Sequence, residues 1–139
     1  PKPCAKAAYV GRKLRPEIFE RVAIAVLQLG ATMLQPEQLV QAAQRVANAA
    51  SLPATVIVFG SYARGDATEA SDLDLVVVQP ELVDKGAEYL RLKAAVGRLG
   101  VGVDLLLFAR RDFERRSQVP GTVPYWAKKE GRILHDAAA

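Results

Sequence analysis

The feature that most limits the fold of this chain is a set of three short apolar runs. The first two are TVIVF at 55–59 and LDLVVV at 73–78, and a third covers 101–108. All are rich in β-branched or aliphatic residues, and proline or glycine bounds them, which is typical of buried β-strands. We therefore expect a β-sheet built around these three strands.

Helical spacing of apolar residues indicates helices before, between and after the strands. The predicted helices cover 16–29, 36–51, about 83–99 and about 125–132, and a short helical turn is expected at 61–65. Strands mixed with covering helices predict a layered domain of the α/β (α+β) class, with a small mixed sheet flanked by helices.

The length of 139 residues suits a single domain. Residues 1–15 carry no acidic residue and are predicted to form a basic N-terminal tail, so that the domain covers 16–139. No stretch approaches the roughly 20 apolar residues of a membrane helix, and the basic start lacks the apolar core of a secretory signal. Together with a single cysteine, these features lead us to expect a cytoplasmic protein.

The formal net charge of +4 permits anionic partners such as nucleotides or nucleic acid. Aromatic residues are few and are not interleaved with the basic clusters, so a nucleic-acid partner is not favoured. The one histidine, His135, and the one cysteine leave no set of residues for a histidine metal cluster, a Ser-His-Asp triad or a zinc knuckle within the chain.

A glycine-serine pair, Gly60-Ser61, stands directly after the first strand and before the expected helical turn. Glycine lets the backbone approach a ligand closely, and the N–H groups at the start of a helix can bind phosphate. Taken alone, the pair is more typical of a plain tight turn.

Two aspartates, Asp72 and Asp74, mark the start of the second strand. Residues two apart on a strand share a face, so both carboxylates lie on one side while Leu73 points into the core. Such carboxylates repel each other, and a hard cation such as Mg²⁺ would offset that repulsion. In the alternative interpretation, Asp72 caps a turn and Asp74 pairs with an arginine.

A third aspartate, Asp104, lies inside the apolar third strand, where an isolated charge is expensive. If that strand pairs beside 73–78, Asp104 faces the same cation site. The alternative is an aspartate paired with Arg110 or with the start of a helix.

The spacing of these residues resembles the motif of the DNA polymerase β-like nucleotidyltransferase superfamily. The motif is G-S-x10-D-x-D, and Arg64, Gly65 and Ser71 extend it to G-S-x-x-R-G-x5-S-D-x-D-L. The chain is most similar to the minimal nucleotidyltransferase branch, whose members are often paired with a helical HEPN protein. The resemblance covers about 55–108, whereas the first 50 residues carry no motif.

This resemblance implies a catalytic site and a reaction. Asp72, Asp74 and Asp104 would bind two Mg²⁺ ions, with Asp104 serving the acceptor hydroxyl. Gly60 and Ser61 would hold the β- and γ-phosphates of a nucleoside triphosphate. The reaction would transfer NMP, AMP from ATP, to a hydroxyl and release pyrophosphate.

The role of Arg64 stays open between two interpretations. It either steadies phosphate charge or only pairs with Asp66 or Glu69.

The resemblance also implies a partner, because the chain has no room for a separate acceptor-binding domain. A HEPN toxin modified on a tyrosine would fit the antitoxin branch, with the predicted N-terminal helices and the basic segment 110–116 as contact surfaces. One alternative is a non-catalytic antitoxin module that inhibits its partner by contact. Another is a nucleotidyltransferase that acts on RNA. Whether the chain forms oligomers is left open.

Overall fold

The central sheet of the computed structural model, which describes residues 33–137, has four strands. They are β1 (Thr55–Phe59), β2 (Leu73–Gln79), β3 (Val103–Ala109) and β4 (Arg132–His135), in the spatial order β3-β2-β1-β4. Strand β1 is antiparallel to both β2 and β4, whereas β2 and β3 are parallel. The mixed sheet and the three predicted strands are confirmed.

Strand β4 is a correction to the prediction, which placed residue 132 in the last helix. The helix ends one residue before Gly131, where a side chain would collide with the carbonyl of Ala127 and with Ile57. The close packing on β1 that this glycine permits lets the following four residues pair with that strand. RILH is short and its first two residues are exposed, so its apolar pattern is too weak to predict a strand.

Within residues 33–137, five helices cover the sheet. They are α1 (Pro36–Ala49), α2 (Ser61–Arg64), α3 (Lys85–Val96), α4 (Arg110–Arg116) and α5 (Val123–Glu130). Helix α3 is shorter than predicted, because the Asp84 side chain caps its start by accepting a hydrogen bond from the Ala87 amide, and Gly97 with φ of 71° ends it. Helix α4 was not predicted. The predicted tail 1–15 and the predicted helix over 16–29 lie outside the described residues.

The two faces of the sheet carry separate apolar clusters. One face packs against α1 and α3 through Leu39, Ala43, Val46, Leu92 and Val96, which meet Val56, Val58, Leu73, Leu75, Val77, Leu105 and Leu107. The other face packs Ile57, Val76, Val78 and Phe108 against Phe113 of α4 and Ala127 of α5. From Leu34 on, the described residues fold as one compact unit. None of the helices in this part of the chain is long and apolar enough to cross a membrane.

The strand directions bring four chain segments together at one end of the sheet. Strand β1 ends there, and β2, β3 and β4 all begin there. We call this end the carboxylate edge, because Asp72, Asp74 and Asp104 all lie at it. The opposite edge carries Gln79 and Ala109, where β2 and β3 end.

Candidate functional site

The aspartates Asp74 and Asp104 are direct neighbours across β2 and β3. They are register partners in the parallel ladder, so their side chains project from the same face of the sheet. This is the face covered by α4 and α5, whereas Leu73, the first residue of β2, is fully buried on the other face, as expected. The juxtaposition of Asp74 with Asp104 that the sequence suggested is therefore present.

The carboxyl group of Asp74 is in an electrostatically crowded place. Burial, a hydrogen bond with Asp104 and the negative charges of Asp104 and Asp72 raise its pKa from 3.8 to about 6, against the opposing charge of Arg64. Asp74 is half-buried, while Asp72 and Asp104 are exposed. The three groups therefore concentrate negative charge where solvent or a ligand can reach it.

Asp104 corrects one premise of the sequence argument, because it is exposed at the beginning of β3 and pays no cost of burial. The alternative pairing with Arg110 does not occur, since Arg110 follows the other end of the strand, about 20 Å away. Asp104 is instead placed by the parallel register with β2. The backbone amide of Leu73 donates to the carbonyl of Gly102 over 2.8 Å and fixes that register at the edge.

The glycine of the G-S pair has no substitute at its position. Gly60 has φ of 76°, and a side chain there would collide with Oδ2 of Asp74. Its carbonyl accepts hydrogen bonds from the amides of Ala63 and Arg64 over 3.0 Å, which starts helix α2 directly after β1. The turn is therefore shaped to seat the Asp74 carboxylate against the backbone that precedes Ser61.

Ser71, a residue of the extended motif, builds the turn that leads into the aspartates. Its hydroxyl accepts a hydrogen bond from the amide of Thr68 over 2.8 Å, and its own amide donates to the Thr68 carbonyl over 3.0 Å. This turn delivers Asp72 to the start of β2. Gly102, which the sequence argument treated only as a break before β3, lies beside it, and a side chain at Gly102 would overlap the Asp72 carboxylate.

Among the described residues, Arg64 forms ion pairs with two carboxylates. Its Nε lies 3.2 Å from Oδ2 of Asp66, and its Nη1 lies 3.6 Å from Oε2 of Glu130. The pairing with Asp66 is one of the two predicted for this arginine, whereas Glu130 was not predicted at all. Because the charge of Arg64 also acts on Asp74, the guanidinium lies at the carboxylate edge.

Glu130, the last residue of α5, lies at this edge through its ion pair with Arg64 and was not predicted, and neither was the exposure of Trp126 on the same helix. Glu130 ends the helix and Trp126 lies one turn earlier, with 42% of its surface exposed. The pattern Trp126-x3-Glu130-Gly131 could have indicated them. It places two residues on one side of a helix and follows them with a glycine, at which the helix ends and the chain returns to the sheet. The basic helix α4, by contrast, begins at the opposite edge.

The donor chemistry of the carboxylate edge fits a divalent cation. Among residues 33–137, no group of three or more His, Cys, Asp or Glu side chains stands ready-assembled around a common point. However, Asp74 and Asp104 offer oxygen donors side by side, with Asp72 adjacent, and burial together with the hydrogen bond to Asp104 and the negative charges of Asp104 and Asp72 raises the pKa of Asp74. Oxygen donors with uncompensated charge are the type that Mg²⁺ prefers, and a cation would relieve the repulsion.

Comparison with known proteins agrees with this geometry. Residues 39–130 match the family described as nucleotidyltransferase domain. The chain is similar to the solved structure of a toxin-antitoxin with AMP-PNP, with 19% identity, 74% of each chain covered and a TM-score of 0.53. It is also similar to a "putative nucleotidyltransferase" from Sulfolobus solfataricus, with 18% identity, 73% of this chain and 79% of that chain covered and a TM-score of 0.49. No curated protein was found to match the chain.

The chain therefore belongs to the nucleotidyltransferase domain family, since the match covers well over half of its length. The similarity to the DNA polymerase β-like nucleotidyltransferases that the motif indicated is thereby confirmed, and so is the predicted fold class.

Proposed function

We propose that the protein transfers NMP from a nucleoside triphosphate, ATP in our proposal, to a hydroxyl group and releases pyrophosphate. The observation that carries this proposal is the in-register pair Asp74 and Asp104 beside the Gly60-Ser61 turn. Family membership supports the reaction class, and a similar fold is described in the presence of AMP-PNP, an analogue of ATP with an imido group between the β- and γ-phosphates.

Each residue of the carboxylate edge has a distinct task in this proposal. Asp72, Asp74 and Asp104 would hold two Mg²⁺ ions, and Mg²⁺ when bound supplies positive charge against the phosphate oxygens and the attacking oxygen. The amides of Ala63 and Arg64 donate to the Gly60 carbonyl, so the amides that precede them, those of Gly60 and Ser61, and the Ser61 hydroxyl would bind the β- and γ-phosphates.

The remaining tasks concern charge and a proton. A carboxylate oxygen of Asp104 accepts the proton of the acceptor hydroxyl as its oxygen bonds to the α-phosphorus. The bond from that phosphorus to the bridging oxygen of the β-phosphate breaks, and pyrophosphate leaves. Arg64, which is 46% exposed in its side chain and lies near Asp74, neutralises phosphate charge by exchanging a carboxylate partner for a phosphate oxygen.

The acceptor in this proposal is a hydroxyl of a partner protein. The described unit has one sheet and its covering helices, so we propose that a second protein presents the acceptor at the open carboxylate edge. The similar fold in a structure described as a toxin-antitoxin supports a toxin-antitoxin setting for this chain. We propose a HEPN-type toxin as the partner and an antitoxin role for this chain because the motif resembles that of the minimal nucleotidyltransferases.

The reaction is tested by measuring Mg²⁺-dependent pyrophosphate release from ATP in the presence of the candidate partner. We expect Asp72→Asn and Asp104→Asn to lose this activity while keeping the melting temperature of the wild type within a few degrees, since both side chains are exposed. The matched control is Asp112→Asn, an exposed aspartate on α4. Unchanged turnover in Asp72→Asn would show that the metal assignment is wrong.

The acceptor is identified by mass spectrometry of the products encoded next to this gene after incubation with this protein, ATP and Mg²⁺. A gain of one AMP on a partner protein supports the proposal. A gain on RNA would instead support the RNA-directed alternative, and inhibition of the partner without any mass change would support the contact-only module.

A further inference from the structure

The single tryptophan of the chain lies exposed on α5, the helix whose last residue, Glu130, pairs with Arg64. Trp126 has 42% of its surface exposed, although its neighbours Pro124 and Ala127 on α5 are buried against the sheet. A large aromatic side chain that remains exposed on an otherwise anchored helix leaves apolar area without a partner in this structure. Its location decides what could cover it.

Trp126 lies on the side of α5 that faces Arg64. It is four residues before Glu130, so the two side chains occupy the same side of the helix about 6 Å apart along its axis. Glu130 reaches to 3.6 Å from Arg64, whose charge acts on Asp74. The indole is therefore one helical turn from the residue that joins α5 to the phosphate-binding turn.

The orientation of the indole is supported by two neighbours. The ring of Tyr125 meets it edge to face, with centroids 5.3 Å apart and an interplanar angle of 85°. Nζ of Lys129 lies 5.8 Å from the indole centroid and 5.5 Å from the Tyr125 ring. These contacts hold an aromatic surface beside the ammonium group of Lys129. The aromatic surface suits a flat ring system, and the ammonium group suits an anionic chain attached to that ring.

No other described aromatic side chain offers this combination. Tyr62 is committed to the core and accepts a hydrogen bond from the amide of Leu34, and Phe59 packs against the sheet cluster. Phe108 and Phe113 lie in that cluster towards the opposite edge. Tyr89, which is 37% exposed, belongs to α3 on the other face of the sheet.

We propose that Trp126 is the stacking surface for the base of the nucleotide whose phosphates bind at Gly60-Ser61. This inference rests on the proposed function and adds a specificity determinant to it. Every base has a π-face, so stacking alone accepts purines with little discrimination. The stacking contact therefore distinguishes a nucleoside triphosphate from bare polyphosphate.

Intrinsic fluorescence tests the proposal directly, because Trp126 is the only tryptophan of the chain. The full chain is titrated with AMP-PNP and separately with tripolyphosphate, both in the presence of Mg²⁺, and binding is measured in parallel by calorimetry. We expect AMP-PNP to quench the indole emission and tripolyphosphate to bind with little change in emission.

Three variants make the test specific. Trp126→Leu should lose about 5- to 150-fold in affinity for AMP-PNP, the range for removal of one stacked base, and keep its affinity for tripolyphosphate. Trp126→Phe should recover most of the lost affinity, because it keeps an aromatic face. Tyr89→Leu, which removes an exposed aromatic side chain on the other face, should bind both ligands like the wild type.

Each outcome separates the stacking role from the reaction itself. If AMP-PNP binds the wild type without quenching and Trp126→Leu keeps full affinity, the stacking role is wrong and the proposed function stands. The same holds if Trp126→Leu loses only the partner protein, which would assign the indole to protein docking. If neither ligand binds the wild type with Mg²⁺, both the nucleotide site and the stacking role are overturned.

Discussion

The guanidinium of Arg64 lies 3.6 Å from the carboxylate of Glu130 and thereby joins the motif turn to the end of α5. The side chains are 46% and 26% exposed, so solvent screens the pair and it contributes little to stability. The ion pair matters for geometry, because Glu130 and Asp66 both bind the guanidinium of Arg64 and together fix its position.

We expect Glu130→Gln to weaken AMP-PNP binding by up to about fivefold with an unchanged melting temperature, because Arg64 keeps only Asp66 as its carboxylate partner. Calorimetric titration with Mg²⁺ present measures the loss. Glu114→Gln is the control. It removes an exposed ion pair between α4 and α5, in which Nζ of Lys128 lies 3.0 Å from Oε1 of Glu114. Equal affinities in the two variants would mean that Glu130 does not position Arg64.

Gly60 and Gly97 form a matched pair for testing the motif turn. Their backbone angles are nearly the same, with φ of 76° and ψ of −151° for Gly60 and φ of 71° and ψ of −160° for Gly97. An alanine carries the same backbone strain at either position, about 1–3 kcal/mol. Only at Gly60 would the added side chain meet Asp74, whereas nothing lies within 4 Å of it at Gly97.

We therefore expect Gly97→Ala to lower the free energy of unfolding by about 1–3 kcal/mol and to keep nucleotide binding. Gly60→Ala should be destabilised further and should lose binding of AMP-PNP, because Asp74 must leave its position. Chemical denaturation and calorimetry check both expectations. Retained affinity in Gly60→Ala would show that close approach of this backbone to Asp74 is not needed.

Buried aliphatic runs and strand alternation are local patterns, so the sequence predicted the positions of β1, β2 and β3. It also predicted that Leu73 faces the core and Asp74 the opposite face of the sheet. The register that places Asp104 beside Asp74 is non-local, and it follows from the parallel pairing of β2 with β3. From the sequence, Asp104 could be placed at the site only on the assumption that its strand pairs with 73–78.

The structural features that were missed lie where the chain turns back onto the sheet after α5, and no local sequence pattern predicts such a turn. Glu130 reaches Arg64 at the end of α5, where Gly131 lets the chain turn back onto β1. Strand β4, only four residues long, has too weak an alternation to be predicted. The predicted cost of burying Asp104 was wrong for a related reason, since a strand's first residues can remain exposed at the edge of a sheet.

A buried glutamate holds together the opposite edge of the sheet. Glu88, 5% exposed, accepts hydrogen bonds from the amide and hydroxyl of Ser51, both over 2.9 Å, from Gln79 over 2.8 Å and from Arg91 over 3.0 Å. Burial raises the pKa of Glu88, but these hydrogen bonds and the charge of Arg91 outweigh it and hold the pKa below its ordinary value of 4.5.

We expect Glu88→Gln to destabilise the fold by about 1–3 kcal/mol near neutral pH, because a buried donor loses its acceptor. A lowered pKa in the native state means that this stabilisation is present above pH 4.5 and is lost as the pH falls below it. Thermal unfolding from pH 3 to 7 should show the two proteins converging at low pH. Glu81→Gln, an exposed residue nearby, is the control. A constant difference across the range would contradict the prediction.

The pKa of Asp74 is raised, whereas that of Glu88 is lowered, so the two groups affect stability in opposite directions as the pH changes. Through Asp74, stability is also linked to cation binding. Because the native pKa is about 6 and the ordinary value is 3.8, the folded chain binds this proton more tightly than the unfolded chain. The contribution to stability is therefore fully present below about pH 4 and is lost as the pH rises through 6. A cation at the same carboxyl would restore it above pH 6.

We expect Asp74→Asn in the absence of divalent ions to melt at a higher temperature than the wild type at pH 7.5, and this advantage to shrink at pH 5. Mg²⁺ should raise the melting temperature of the wild type at pH 7.5 more than at pH 5, because the ion competes with the proton, and should not raise that of Asp74→Asn. Asp112→Asn, exposed on α4, controls for the loss of one negative charge. If wild type and Asp74→Asn respond alike to pH and to Mg²⁺, Asp74 is neither crowded by its neighbours nor a ligand of the ion.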